Sequence, residues 1–279
     1  AFVVLFVGYG TKMGLAPMHT WKPDAYGEAP GLVGALLAGG LPNCAFLAIL
    51  RFHQVVLAAG EGAFARQVMV VMGLLSMSVA AVFMVRQRDF KRMLAYSSVE
   101  HMGILILGVG IGGLGAFASL LHMINNGFTK GVLFLSAGNI QRAYLSKVTD
   151  QVGGALRLVP VSAALFLAGF FAITGSPPFG PFISELTILN AAIGAGKFVV
   201  AGLFLVLLAV VFVGMGATVM AVVQGTPSEQ ASTNGGRERF GTTAPIFVFL
   251  AVVLLLGCWI PGPLDRSLHQ AAQFLEGGR

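Results

Sequence analysis

Apolar stretches about as long as a bilayer's hydrocarbon core is thick recur along the whole of this chain. Segments 1–16, 31–51, 66–86, 93–112, 114–140, 159–193, 198–223 and 244–260 are each predominantly apolar. A helix rises about 1.5 Å per residue, so about 20 apolar residues cross the hydrocarbon. The pattern predicts about eight spans. The other structure that satisfies every backbone group in lipid is a closed β-barrel, whose strands are about 10 residues long and alternate in polarity. These runs are continuous, so the expected fold is all-α, a polytopic transmembrane helix bundle. The composition agrees: 56% hydrophobic and 10% charged residues in 279, with a mean hydropathy of +0.85, exceed what a soluble core of this size buries.

The net charge of +6 does not point to nucleic acid, because the basic residues are spread over the segments between spans. With alternating spans, Lys22, Arg86, Arg88, Lys91, Arg92, Arg142, Lys147, Arg157, Arg237 and Arg239 fall on one side, and Arg51, Arg66, Lys197, Arg266 and Arg279 on the other. The richer side is expected to be cytoplasmic, in a multi-pass protein of the inner, cytoplasmic membrane. The opening AFVVLFVGYG carries no basic region ahead of its apolar run and reads as a helix entered midway, so a fragment is expected. Residues 1–263 are read as one transmembrane domain and 264–279 as a short amphipathic tail, with Leu264, Leu268, Ala271, Ala272 and Leu275 at helical spacing. Residues 224–243, QGTPSEQASTNGGRERFGTT, read as an exposed loop. Cys44 and Cys258 stand far apart without ligand spacing, so neither a disulfide nor a metal site is expected.

Two apolar zones combine helix breakers with a charge. In GTKMGLAPMHTW, Lys12 lies between Gly10 and Pro17; in TGSPPFGPFISELTIL, Pro177, Pro178, Gly180 and Pro181 precede Glu185. Proline lacks an N–H and clashes with the preceding turn, and the carbonyls it frees need protein or water partners inside a membrane. Two discontinuous helices are therefore expected, each marking a wet depth suited to an ion path.

A charge at mid-membrane costs about 2.5–3.5 kcal/mol, so each one needs a reason. His122, Asn126 and Lys130 follow one another at i, i+4, i+8, on one helix face. Histidine and lysine both exchange protons, and burial disfavours the charged form of any such group, so the face reads as a polar wire with Asn126 holding a water. Polar glue between helices is the competing reading. Glu185 reads as a proton site or as half of an ion pair, and Lys12 as a proton site or a side chain snorkelling to the interface. Glu100 and His101 follow the basic DFKRML closely and are expected to be shallower, suited to interface pairing or to proton transfer. His19 and Asp24 read as residues that shape a loop or a partner contact, and His53 and His269 as solvated span ends. No nucleophile triad, Walker loop or dinucleotide fingerprint appears, so no cofactor and no stand-alone enzyme are expected.

The stretches GTKMGLAPMHTWKPDAYGEAP with the following ALLAG, FKRMLAYSSVEHMG, NGFTKGVLFLSAGN and TGSPPFGPFISELTIL, in this order over most of residues 10–190, resemble the antiporter-like membrane subunits of respiratory complex I, Mrp-type antiporters and membrane-bound hydrogenases. DAYGEAP and SSVEHMG look most like the hydrogenase-4 and formate hydrogenlyase branch, in its F-type membrane component. Such proteins typically have about fourteen helices in two inverted repeats, each repeat with one broken helix, and by that comparison this chain starts in the seventh helix and holds the C-terminal half. The resemblance implies that Lys12, Lys130 and Glu185 are the lysine of the first broken helix, the lysine of the eleventh helix and the terminal proton site, with His122 one wire position before Lys130. Asn43 and Asn126 stand where many relatives carry a lysine and a histidine, which removes two titratable groups. The implied function is proton translocation driven by partner redox chemistry. Implied partners are other membrane subunits and a peripheral nickel-iron hydrogenase with iron-sulfur subunits. Sodium/proton antiport and a non-conducting scaffold are the alternatives.

Overall fold

A computed structural model describes residues 1–226 and 238–277, so most of the loop expected at 224–243 lies outside the described residues. The elements run α1 (Phe2–Met13), α2 (Trp21–Glu28), α3 (Gly31–Gly39), α4 (Leu41–Ala58), α5 (Gly62–Met84), α6 (Phe90–Ile111), α7 (Leu114–Tyr144), α8 (Ala155–Leu158), α9 (Pro160–Ile173), α10 (Gly180–Gly194), α11 (Phe198–Val223), α12 (Phe240–Cys258) and α13 (Gly262–Leu275). No strand occurs among the described residues, only an isolated bridge between Asp89 and Val148. The protein is an all-α, polytopic membrane bundle. By length and composition, α3 with α4, α5, α6, α11 and α12 are able to cross a bilayer. The other expected runs differ for physical reasons. Helix α7 is 31 residues long, about 46 Å at helical rise, and is interrupted by polar side chains. The runs at 1–16 and 159–193 are each split.

Both splits follow from backbone chemistry. Helix α1 stops at Gly14, whose left-handed φ of 81° turns the chain out of the helix while its N–H still reaches the Gly10 and Thr11 carbonyls. Helix α9 stops before Gly175, φ 65°, and α10 begins with Pro181 in its first turn, the one place where a missing N–H costs nothing. A third interruption separates α3 from α4, where GGLP ends one helix and starts the next. The Asn43 side chain donates to the Gly39 carbonyl at 2.7 Å, replacing a ladder bond lost at this kink.

Helix α6 lies at the centre, with 94% of its apolar window buried. Contacts between loops follow the alternation of spans. On the basic side, Lys147 lies 2.5 Å from Glu28 and 3.2 Å from Asp89, and Arg92 pairs with Asp24. Lys91 is buried and donates to the Ala29 carbonyl at 2.5 Å and to Gln141 at 3.0 Å. On the opposite side, α13 lays Leu268, Ala272 and Leu275 onto the ends of the spans, and Glu276 pairs with Arg66. Asp89 also caps α6, accepting from the Lys91 and Arg92 N–H groups at 2.8 and 3.0 Å. Asp89→Ala should therefore lower stability by about 1 kcal/mol, read as an earlier thermal midpoint in detergent.

Candidate functional site

The buried polar side chains converge where α6, α7 and α10 meet. Lys130, near the middle of α7, donates from Nζ to Ser97 Oγ on α6 at 2.7 Å. Glu100 and His101, one turn further along α6, are only 2% and 1% exposed. Both are covered by neighbouring helices near the middle of α6, with Glu100 Oε2 3.8 Å from His101 Nε2. His101 Nδ1 lies 2.9 Å from His122 Nε2, and His122 Nδ1 lies 2.8 Å from Ser184 Oγ on α10. Glu185 completes the group, with ligand atoms of His101, His122 and Glu185 all within 4.8 Å of one another.

The Ser184 hydroxyl lies 3.0 Å from the Pro181 carbonyl and 2.8 Å from His122 Nδ1, so it either donates to the carbonyl and accepts from the imidazole or donates to the imidazole. When it donates to Pro181, its oxygen accepts from His122 Nδ1–H, His122 Nε2 accepts from His101 Nδ1–H, and His101 Nε2 faces Glu100. The two imidazoles thus form one line of contacts from α6 through α7 to α10.

The second break shapes the acidic end. Gly175 has a left-handed φ, and a Cβ placed on it would collide with the Glu185 carboxylate. The break thus gives the carboxylate its seat. Oε1 of Glu185 has no partner among the described residues, and a cavity of about 330 Å³ lined by Thr174, Gly175, Ser176, Leu189 and Phe204 opens beside it.

Several sequence expectations come out differently. Along α7, Asn126 bonds directly to neither His122 nor Lys130, and both of its side-chain polar atoms are buried without protein partners among the described residues. The contacts step between helices instead. Lys12 is exposed at the last turn of α1, away from the cluster. Lys22, placed in a loop by its polar neighbours, is fully buried at the first break. His53, expected in solvent, is 1% exposed. His19 is buried against Phe83 and Tyr96. His269 is half exposed, as expected of a span end. Sequence reasoning missed Ser184, although ISEL places it beside Glu185, and Ser97, although YSSVEH places it three residues before Glu100.

The fold and site together define a polytopic helical membrane protein with interrupted helices and a buried cluster of ionisable groups. Residues 1–213 match the family described as NADH:quinone oxidoreductase/Mrp antiporter, transmembrane, and the chain belongs to that family. It is 36% identical over 262 residues to a hydrogenase-4 component F homolog of Methylacidiphilum infernorum, covering 93% of this chain and 54% of that protein. It is 33% identical over 190 residues to NAD(P)H-quinone oxidoreductase chain 4 of Prochlorococcus marinus, covering 68% of this chain and 35% of that one. The chain thus spans about half the length, or less, of these curated relatives. Among solved structures, a chain of respiratory complex I from Thermus thermophilus superimposes with a TM-score of 0.85 at 26% identity, covering 99% of this chain and 58% of that chain. A chain of the Mrp complex from Dietzia sp. DQ12-45-1b superimposes with a TM-score of 0.87 at 23% identity, covering 98% and 58%, and shares the fold.

Proposed function

We propose that this chain is part of a proton-translocating membrane subunit of a redox-driven respiratory or hydrogenase complex. The observation that carries the reading is the buried sequence Glu100, His101, His122, Ser184 and Glu185, which links α6 to the second broken helix through two short imidazole contacts. A proton placed on His101 Nε2 releases Nδ1–H to His122 Nε2, and His122 releases its own Nδ1–H to Ser184 Oγ as the Ser184 hydroxyl turns from Pro181 and gives its proton to the Glu185 carboxylate; N–H bonds break at His101 and His122, and an N–H at His122 and an O–H at Glu185 form. The two rings return to their starting tautomers by rotation, which leaves the delivered proton in place. Lys130 and Glu100 sense each other's charge, as do Glu100 and Glu185, and in a low-dielectric interior such fields are strong. A charge change at Lys130 thereby biases the carboxylates at the far end. Lys12 lies outside this chain of contacts, and its part in translocation rests on the family resemblance alone.

The redox chemistry belongs to partners. The hydrogenase-4 relative supports a hydrogenase partner alongside other membrane subunits; a peripheral nickel-iron module with iron-sulfur subunits is what the family resemblance implies, and the basic loops support a position in the cytoplasmic membrane with those loops inward. The experiment measures proton uptake by vesicles containing the full-length protein in its complex. His122→Leu should lower uptake at least about tenfold while partner redox turnover persists. Undiminished uptake overturns the relay. An absolute requirement for Na⁺ would replace proton pumping with sodium/proton exchange.

A further inference from the structure

Lys22 is fully buried at the start of α2, yet it takes no part in the relay from Glu100 to Glu185. The other two buried lysines are well held: Lys91 by the Ala29 carbonyl and Gln141, Lys130 by Ser97 at 2.7 Å. Lys22 has far less. Its Nζ reaches the Ser98 carbonyl at 3.4 Å and stands 5.6 Å from the centre of the Tyr26 ring. It forms no ion pair among the described residues. An ammonium carries three donors, and burying one without a counter-charge is among the costliest placements a side chain can have. A purely structural amine at this position would be better served by an apolar side chain of the same length.

Its surroundings explain why it is here. A Cβ on Gly14 would run into the Lys22 side chain from Cδ to Nζ, so the left-handed glycine that ends α1 also makes the room that Lys22 occupies. The second break is built the same way, with Gly175 making room for Glu185. Each broken helix therefore seats one ionisable side chain in the hollow left by a glycine. The two lysines also meet the same short stretch of α6: Lys22 touches residue Ser98 and Lys130 touches Ser97. The ionisable groups that sense the charge of Lys22 are His19 in the break, His101 on α6 and Lys130 on α7, and Tyr26 faces it from its own helix.

We propose that Lys22 is a further proton-exchanging residue of this protein, the end of the buried axis at the first break, passing protons to and from Lys130 beside Ser97 and Ser98. This rests on the proton-translocation reading above. In the step, one N–H bond breaks at the Lys22 ammonium and one forms at the neutral Lys130 amine, through a hydroxyl or water that gains and loses a proton. The charge of the pair is unchanged while its position moves by one helix. Lys22 and Lys130 rest on adjacent residues of α6, Ser98 and Ser97, so two positive charges there oppose each other in a low dielectric.

The test uses the full-length protein in its complex and reads proton flux against pH for Lys22→Met, Lys22→His and, as a control, Glu185→Gln. Lys22→Met keeps the length and removes the proton; flux should fall at least about tenfold with the complex assembled. Lys22→His should restore part of the flux, with the pH midpoint moved toward the imidazole range of about 6.5. Full flux and an unmoved pH profile in Lys22→Met, with Glu185→Gln inactive, overturns the role of Lys22 and leaves the main reading standing. Full flux in both overturns both. Should Lys22→Met fail to assemble, Lys22→His decides: an unmoved pH midpoint overturns the proposal.

Discussion

Glu185→Gln is expected to abolish proton flux while the complex still assembles and its redox partners still turn over. Glutamine matches the carboxylate in size and fits the same seat against Gly175 and the break. It neither takes up nor releases a proton in this pH range, so it blocks the relay without opening a cavity. Oε1 of Glu185 has no partner among the described residues to lose, so the structural cost is small. A loss of at least about a hundredfold is the scale of removing a proton-transfer group from a chain that has no bypass. Measured proton uptake that stays at the parental level in Glu185→Gln removes Glu185 from the path and, with it, the role given to the second break.

Gly175→Ala should produce nearly the same functional loss for a different reason. The left-handed φ of 65° costs a residue with a Cβ about 1–2 kcal/mol. The new methyl also occupies the space that the Glu185 carboxylate fills, and a flexible side-chain end moves before backbone does. The carboxylate swings away from His101 and His122, with which its ligand atoms now share a 4.8 Å sphere. We expect flux to drop at least about tenfold, and the detergent melting point to fall by a few degrees. The pairing of the two variants is informative. A Gly175→Ala protein that melts early but pumps normally shows that the position of Glu185 within its seat is unimportant, which contradicts the geometric relay.

The interruptions are legible because proline and glycine act on their own backbone. GLAP and TGSPPFGP end helices where they stand, whatever packs around them. The GGLP kink between α3 and α4 carries the same backbone signal, but no charge accompanies it to set it apart from an ordinary apolar run. His122, Lys130 and Glu185 stand out as ionisable residues in apolar runs, a contrast visible within one helix. Their partners do not. His101 meets His122 across 21 residues of sequence, Lys130 meets Ser97 across 33, and His122 meets Ser184 across 62.

What the sequence determined by itself is local: an all-α membrane bundle from the length of its apolar runs, and two broken helices from residues that cannot continue a helix. Depth and partnership were decided only in the tertiary structure. Lys22 sits among Thr20, Pro23 and Asp24, a neighbourhood that reads as a loop, and becomes a buried amine because Gly14 makes a hollow that α6 closes. Glu100 and His101 lie soon after a basic cluster, yet α6 is covered on every side, so they face the interior. Spacing along one helix places His122 and Lys130 on a common face, but the direction a proton relay takes is set by which other helices bring their side chains to that face.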